Sequence, residues 1–141
     1  MKRFFLWTIL IFLISNLVIA QVREKRLALV IGNSNYEHED VLHNAVNDAK
    51  LIGSTLETKS IGFKVLYLFD GKKEDMQNKF REFIELSSSY DVLLFYYAGH
   101  GIEVEGLQYL IPVDKSAGTR ITALTDYFNI GSVINLPLVV G

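Results

Sequence analysis

Two unbroken apolar runs constrain the fold of this chain more than any other feature. "LALVIG" spans residues 27–32 and "VLLFYYA" spans residues 92–98, and neither alternates with polar side chains. A strand with one face in water alternates, whereas a continuous run is covered on both faces, as in a parallel sheet. Parallel strands cannot be joined by a tight turn, so each pair needs a crossover, usually a helix. The intervening sequence supplies two. In "AVNDAKLIGSTLETKSIGF", Ala45, Ala49, Ile52 and Leu56 recur on one helical face, and Gly62 fits a stop after it. In "KKEDMQNKFREFIELSSS", Met76, Phe80, Phe83 and Ser87 share a face with the charges opposite. Between them "FKVLYLFD" is aromatic and β-branched and reads as a strand. The order strand, helix, strand, helix, strand predicts an α/β sandwich with a mainly parallel sheet. "IEVEGLQYLIPVD" follows as a hairpin around Glu105 and Gly106, with Pro112 at an edge or strand end.

A chain of 141 residues builds one domain around one core. Half of it is hydrophobic (50%), and a net charge of −2 gives no reason to expect a nucleic-acid or membrane-surface partner. The first residues, "MKRFFLWTILIFLISNLVIAQ", have a different character. Lys2 and Arg3 precede an apolar run from Phe4 to Ile14, and Val18 and Ala20 are small enough for a signal-peptidase site before Gln21. The expectation is a signal peptide over residues 1–20 and a folded domain over 21–141, exported to a periplasm or secreted. Cleavage would leave no stable membrane insertion; an uncleaved segment would act as an anchor.

In parallel sheets the loops at the carboxyl ends of the strands carry the site. Two polar segments sit there: Gly32–Asn44 and Gly99–Glu103. His100 lies in the second, in "YYAGHG". Flanking glycines let the backbone turn sharply and a substrate approach closely. Histidine suits proton transfer near neutral pH, and the Gly101 N–H is placed to face a developing oxyanion. The chain contains no cysteine, which excludes disulfides, thiolate metal sites and a thiol nucleophile within these residues. Ser34 lies outside any G-x-S-x-G elbow. His38 and His43, with Asp40 or Asp48, do not have an established zinc spacing, and "GNSNY" is no phosphate loop. No metal and no cofactor are expected. The residues alone describe a histidine-dependent site whose partner is missing.

Five segments in this order, "RLALVIGNSNY", "LHNAVNDAKLIGSTL", "GFKVL", "DVLLFYYAGHG" and "GLQYLIPVD", resemble the large catalytic subunit of caspase-like peptidases, the clan of caspases, metacaspases and paracaspases, and its bacterial branch in particular. The resemblance runs from Arg26 to Asp114. It implies a three-layer α/β sandwich and peptide-bond cleavage by a Cys–His dyad, with peptides or proteins as substrates. It further implies that His100 is the dyad histidine and that the Gly101 N–H lines the oxyanion hole. Asn47 and Asp48 fall in a signature at the start of the first helix and read mainly as helix-start and loop-fixing groups, with a substrate-pocket role for Asp48 as the secondary reading. Tyr96 and Tyr97 match an aromatic strand end and read as packing residues. Caspase-type spacing puts the cysteine about 50 residues after the histidine, beyond Gly141. "LTDYFNIGSVI" resembles the lead into the next helix, and the likeness fades after Ile134. The expectation is a fold incomplete at its C-terminus, carrying only the histidine half of a cysteine-type endopeptidase. The alternative is a non-catalytic binding or regulatory module, and a weaker third reading is a hydrolase using Ser34.

Overall fold

The computed structural model describes residues 24–116 and 127–129. The expected signal peptide and most of the segment leading to the next helix lie outside the described residues. Three parallel strands form the centre: β1 (Arg26–Gly32), β2 (Phe63–Phe69) and β3 (Val92–Ala98), in the order β2-β1-β3. Helix α1 (Ala45–Leu56) links β1 to β2, and α2 (Lys73–Ser87) links β2 to β3. A second, antiparallel sheet has the order β4-β5-β6, from β4 (Gly101–Val104), β5 (Leu107–Leu110) and β6 (Phe128–Asn129).

The alternation of side chains along β1 divides the core. Leu27, Leu29 and Ile31 pack with Met76, Phe80 and Phe83 of α2. Ala28 and Val30 point the other way and pack with Ala49 of α1. The helices therefore cover opposite faces of the sheet, and the three-layer sandwich is established. This is why "LALVIG" carries no polar residue: both of its faces are interior, and residues 27–31 are fully buried. The α2 face behaves as its periodicity predicts, with Met76, Phe80 and Phe83 buried.

Two details depart from the sequence pattern. Helix α1 ends at Leu56, well before Gly62, and its third buried position is Gly53 rather than Ile52. Hydroxyls explain the early end. Ser54 and Thr55 both donate to the Leu51 carbonyl, and Thr58 donates to the Thr55 carbonyl, local side-chain bonds that favour a turn over further helix. Gly62, at φ 74°, closes the following turn by donating to the Thr58 carbonyl. The hairpin forms as expected: Glu105 (φ 53°) and Gly106 (φ 79°) are both left-handed, as a two-residue turn of the primed type requires. β5 stops at Leu110, just short of Pro112.

The register brings the carboxyl ends of the strands together. Gly32 is level with both Phe69 and Ala98, so all three parallel strands finish on one rim. Gly32 also lets α1 approach. A Cβ there would lie 2.7 Å from the Ala49 Cβ and 2.9 Å from the main-chain oxygen of Ala45. Main chain cannot swing aside as a side-chain tip can. Gly32→Ala is therefore expected to destabilise the domain by about 1–3 kcal/mol, the usual cost of overpacking, measured by urea denaturation. An unchanged midpoint would show that α1 is not seated on β1 at this point.

Candidate active site

The rim is organised by a buried amide. Asn33, fully buried, continues the β1–β3 pairing by donating its N–H to the Ala98 carbonyl (2.8 Å). Its side chain accepts the Gly71 N–H (3.0 Å), just after β2, and donates to the Ile111 carbonyl (3.2 Å), just after β5. One residue, through its main chain and its side chain, thus ties four chain segments, and its polar atoms are satisfied as a buried amide demands.

The loop after β1 is held by Asp70, which ends β2 at φ 50°. Its carboxylate accepts the N–H groups of Ser34 (2.7 Å) and Asn35 (2.9 Å) and the side-chain amide of Asn35 (2.7 Å). Partial burial by itself would raise the Asp70 pKa, but these bonds, aided by Lys50, outweigh it and hold the carboxyl below its ordinary range. Ser34 passes the constraint on. Its Oγ accepts the Val46 N–H at 3.0 Å and so caps α1 from twelve residues upstream. The Asn44 side chain makes no capping bond. Asn47 and Asp48 lie in the first turn of the helix, and the cap itself comes from Ser34, which proximity in sequence cannot reveal. Asp48 is an exposed acid in the first turn of α1, where its charge favours the helix dipole. Burial raises the Tyr96 pKa, and the nearby Asp48 charge raises it further, so Asp48 lies on the same side of the rim as the end of β3. With Ser34 buried and used as a cap, its hydroxyl has no nucleophile's exposure.

His100 and Gly101 lie where β3 hands over to β4. The imidazole Nε2 is 3.0 Å from the Asp40 main-chain oxygen, and the ring rests on Tyr36 with centroids 4.6 Å apart. A carbonyl only accepts, so the proton of that bond belongs to Nε2. In the neutral ring Nδ1 is then the bare lone pair, ready to take a proton. The Ile111 N–H donates to the His100 carbonyl (3.0 Å), while Gly101 pairs with Leu110. That spacing makes Gly101 and Leu110 a non-hydrogen-bonded pair, which turns the Gly101 N–H away from β5. Gly101 is exposed. An N–H that points away from β5 therefore stands one residue from the His100 imidazole. His38 and His43 remain exposed in the loop, and among the described residues no group of three or more His, Asp or Glu side chains converges as a metal site.

The caspase-domain family profile matches residues 25–137. The chain belongs to the caspase-domain family. The domain is similar to human mucosa-associated lymphoid tissue lymphoma translocation protein 1, at 36% identity over 63% of this chain and 11% of that protein. It is also similar to the paracaspase of Dictyostelium discoideum, at 28% identity over 73% of this chain and 26% of that protein. The chain thus spans only about a tenth to a quarter of the length of these curated relatives.

Several residues of this caspase domain's site escape the sequence pattern. Asp70 had a usable signal, since it follows the carboxyl end of a parallel strand, as His100 does. Asn33 and the Asp40 carbonyl had none. Tyr97 packs against the α2-side core as expected, but its hydroxyl also bonds the His100 carbonyl (2.9 Å). The glycines beside His100 serve for space rather than for a sharp turn, as neither has a positive φ. A Cβ on Gly99 would collide with the hydroxyls of Tyr97 and Tyr36.

The lowered pKa of Asp70 has a definite consequence for stability. Its contribution is whole above the unfolded carboxylate range and is lost as pH falls through the folded value. Asp70→Asn keeps a side chain that tolerates positive φ but removes the charge. The variant should be less stable than the parent at neutral pH, with the gap closing below about pH 4. Urea midpoints across a pH series check this, and a gap independent of pH would rule out the carboxylate as its source.

Proposed function

We propose that this domain is the histidine-bearing part of a cysteine-type endopeptidase. One observation carries the reading: Nε2 of His100 is fixed on the Asp40 carbonyl, which directs Nδ1 to act as base. In the complete reaction Nδ1 takes the thiol proton. The thiolate attacks the peptide carbonyl, and the developing oxyanion meets the Gly101 N–H. His100 then returns the proton to the leaving amine as the peptide bond breaks. Water and the same histidine release the acyl group. The thiol must come from outside these 141 residues, which contain no cysteine. Substrates on this reading are peptides or proteins, with the exposed Asp48 as a charged group on the rim beside them.

The test is peptide hydrolysis by the product of the native locus. His100→Ala should lower kcat/KM at least about a hundredfold, the usual contribution of a general base. These 141 residues alone should hydrolyse nothing. Undiminished cleavage in the variant would refute the assignment. The absence of cysteine also favours a second reading, a peptide-binding module that does not cleave. It would be supported by peptide binding to this chain, measured by calorimetry, together with a native product that never cleaves.

Export belongs to the same proposal. Lys2, Arg3, the apolar run from Phe4 and the small residues Val18 and Ala20 support a cleaved signal. Mass spectrometry of the exported protein should then find Gln21 as the first residue. A retained Met1 would instead mark an anchor.

A further inference from the structure

Two phenols meet behind His100, and counting protons orients them. Main-chain carbonyls only accept, so the Tyr97 hydroxyl gives its single proton to the carbonyls of His100 (2.9 Å) and Ile111 (3.0 Å). The 3.2 Å contact between the two hydroxyls then has Tyr36 as donor. The lone pair of Tyr36 takes the His100 N–H at 2.7 Å. The circuit closes on itself, from the His100 N–H through Tyr36 and Tyr97 to the His100 carbonyl. Both main-chain polar groups of one residue are held by one pair of hydroxyls. Gly99 makes room for them, since a Cβ there would strike both. Burial raises the pKa of each phenol, so both remain neutral donors across the physiological range.

We propose that Tyr36 and Tyr97 are the positioning residues of His100. Their hydroxyls hold its main chain, and the Tyr36 ring holds its imidazole, so that Nε2 stays on the Asp40 carbonyl and Nδ1 stays turned away from it. Without the hydroxyls the 99–101 backbone loses both of these anchors. Without the Tyr36 ring the imidazole can turn about χ1 and χ2 and exchange its tautomer. The inference rests on reading His100 as the base, but it is measured without hydrolysis.

The experiment uses the full chain, labelled with nitrogen-15. Long-range proton–nitrogen correlation reports the tautomer of His100, assigned by its loss in His100→Gln. Amide exchange at His100 is normalised to that of Val30, in the core of β1. The parent should show a single Nε2–H tautomer. In Tyr36→Phe the normalised exchange at His100 should rise about tenfold, the loss of one hydrogen bond. Tyr36→Leu should in addition show both tautomers, a change that mere loosening of the fold would not produce while Val30 stays protected. Tyr97→Phe should raise the normalised exchange too, and it carries the test if Tyr36→Phe loses Val30 protection. Unchanged normalised exchange and a single tautomer in the folded variants would overturn the proposal and leave the phenols as packing groups. That result stands whether or not His100→Ala abolishes cleavage, so the two failures are separable.

Discussion

The rim depends on the satisfaction of one buried amide. Asn33 sits at the point where β1 leaves the sheet, and with no exposure to water its donors and acceptor need protein partners. It finds them on Ala98, Gly71 and Ile111. The central strand is thereby locked to the ends of β3 and β2 and to the strand that leaves the second sheet. Removing any one of these partners would strand a polar group in a dry interior, at a cost of about 1–3 kcal/mol. Among the described residues no buried side-chain nitrogen or oxygen lacks a partner, so the rim holds no such defect.

From this anchor the constraint passes outward in short steps. Asp70 gathers the start of the loop, Ser34 ties it to α1, and the Leu42 N–H bonds the Ser34 carbonyl. The loop that results presents the Asp40 carbonyl to His100. A main-chain oxygen cannot be protonated or displaced by rotation of a side chain. The same economy appears at Gly101, where a register of hydrogen bonds, rather than any side chain, leaves an N–H pointing outward.

Much of this fold is legible in the residues because it rests on periodicity. Strands buried on both faces require "LALVIG" and "VLLFYYA", and an amphipathic helix requires the spacing of Met76, Phe80 and Phe83. The turn at Glu105 and Gly106 is legible because positive φ selects its residues. His100 stands out because a polar residue ends an apolar run. The residues mislead where a long-range partner overrides a local rule. Helix α1 ends early through competing hydroxyls, and its start is capped by Ser34 rather than by the acidic and amide residues next to it. Tyr97 looks like a core aromatic and is one, yet its hydroxyl points into the site. Nothing in its neighbours along the chain carries that information.

The sequence by itself determined the layer architecture, the rim on which chemistry would lie, and the histidine and glycine placed there. It also determined that a thiol nucleophile is absent from these residues. These follow from composition and from repeat lengths of two and 3.6 residues, which are properties of neighbouring positions. Only the tertiary structure decided which nitrogen of His100 faces the Asp40 carbonyl, and which groups hold that residue in place. The Asp40 carbonyl and the hydroxyl of Tyr36 lie 60 and 64 residues away along the chain. Contacts at that separation are set by strand order and register, and a single sequence shows neither.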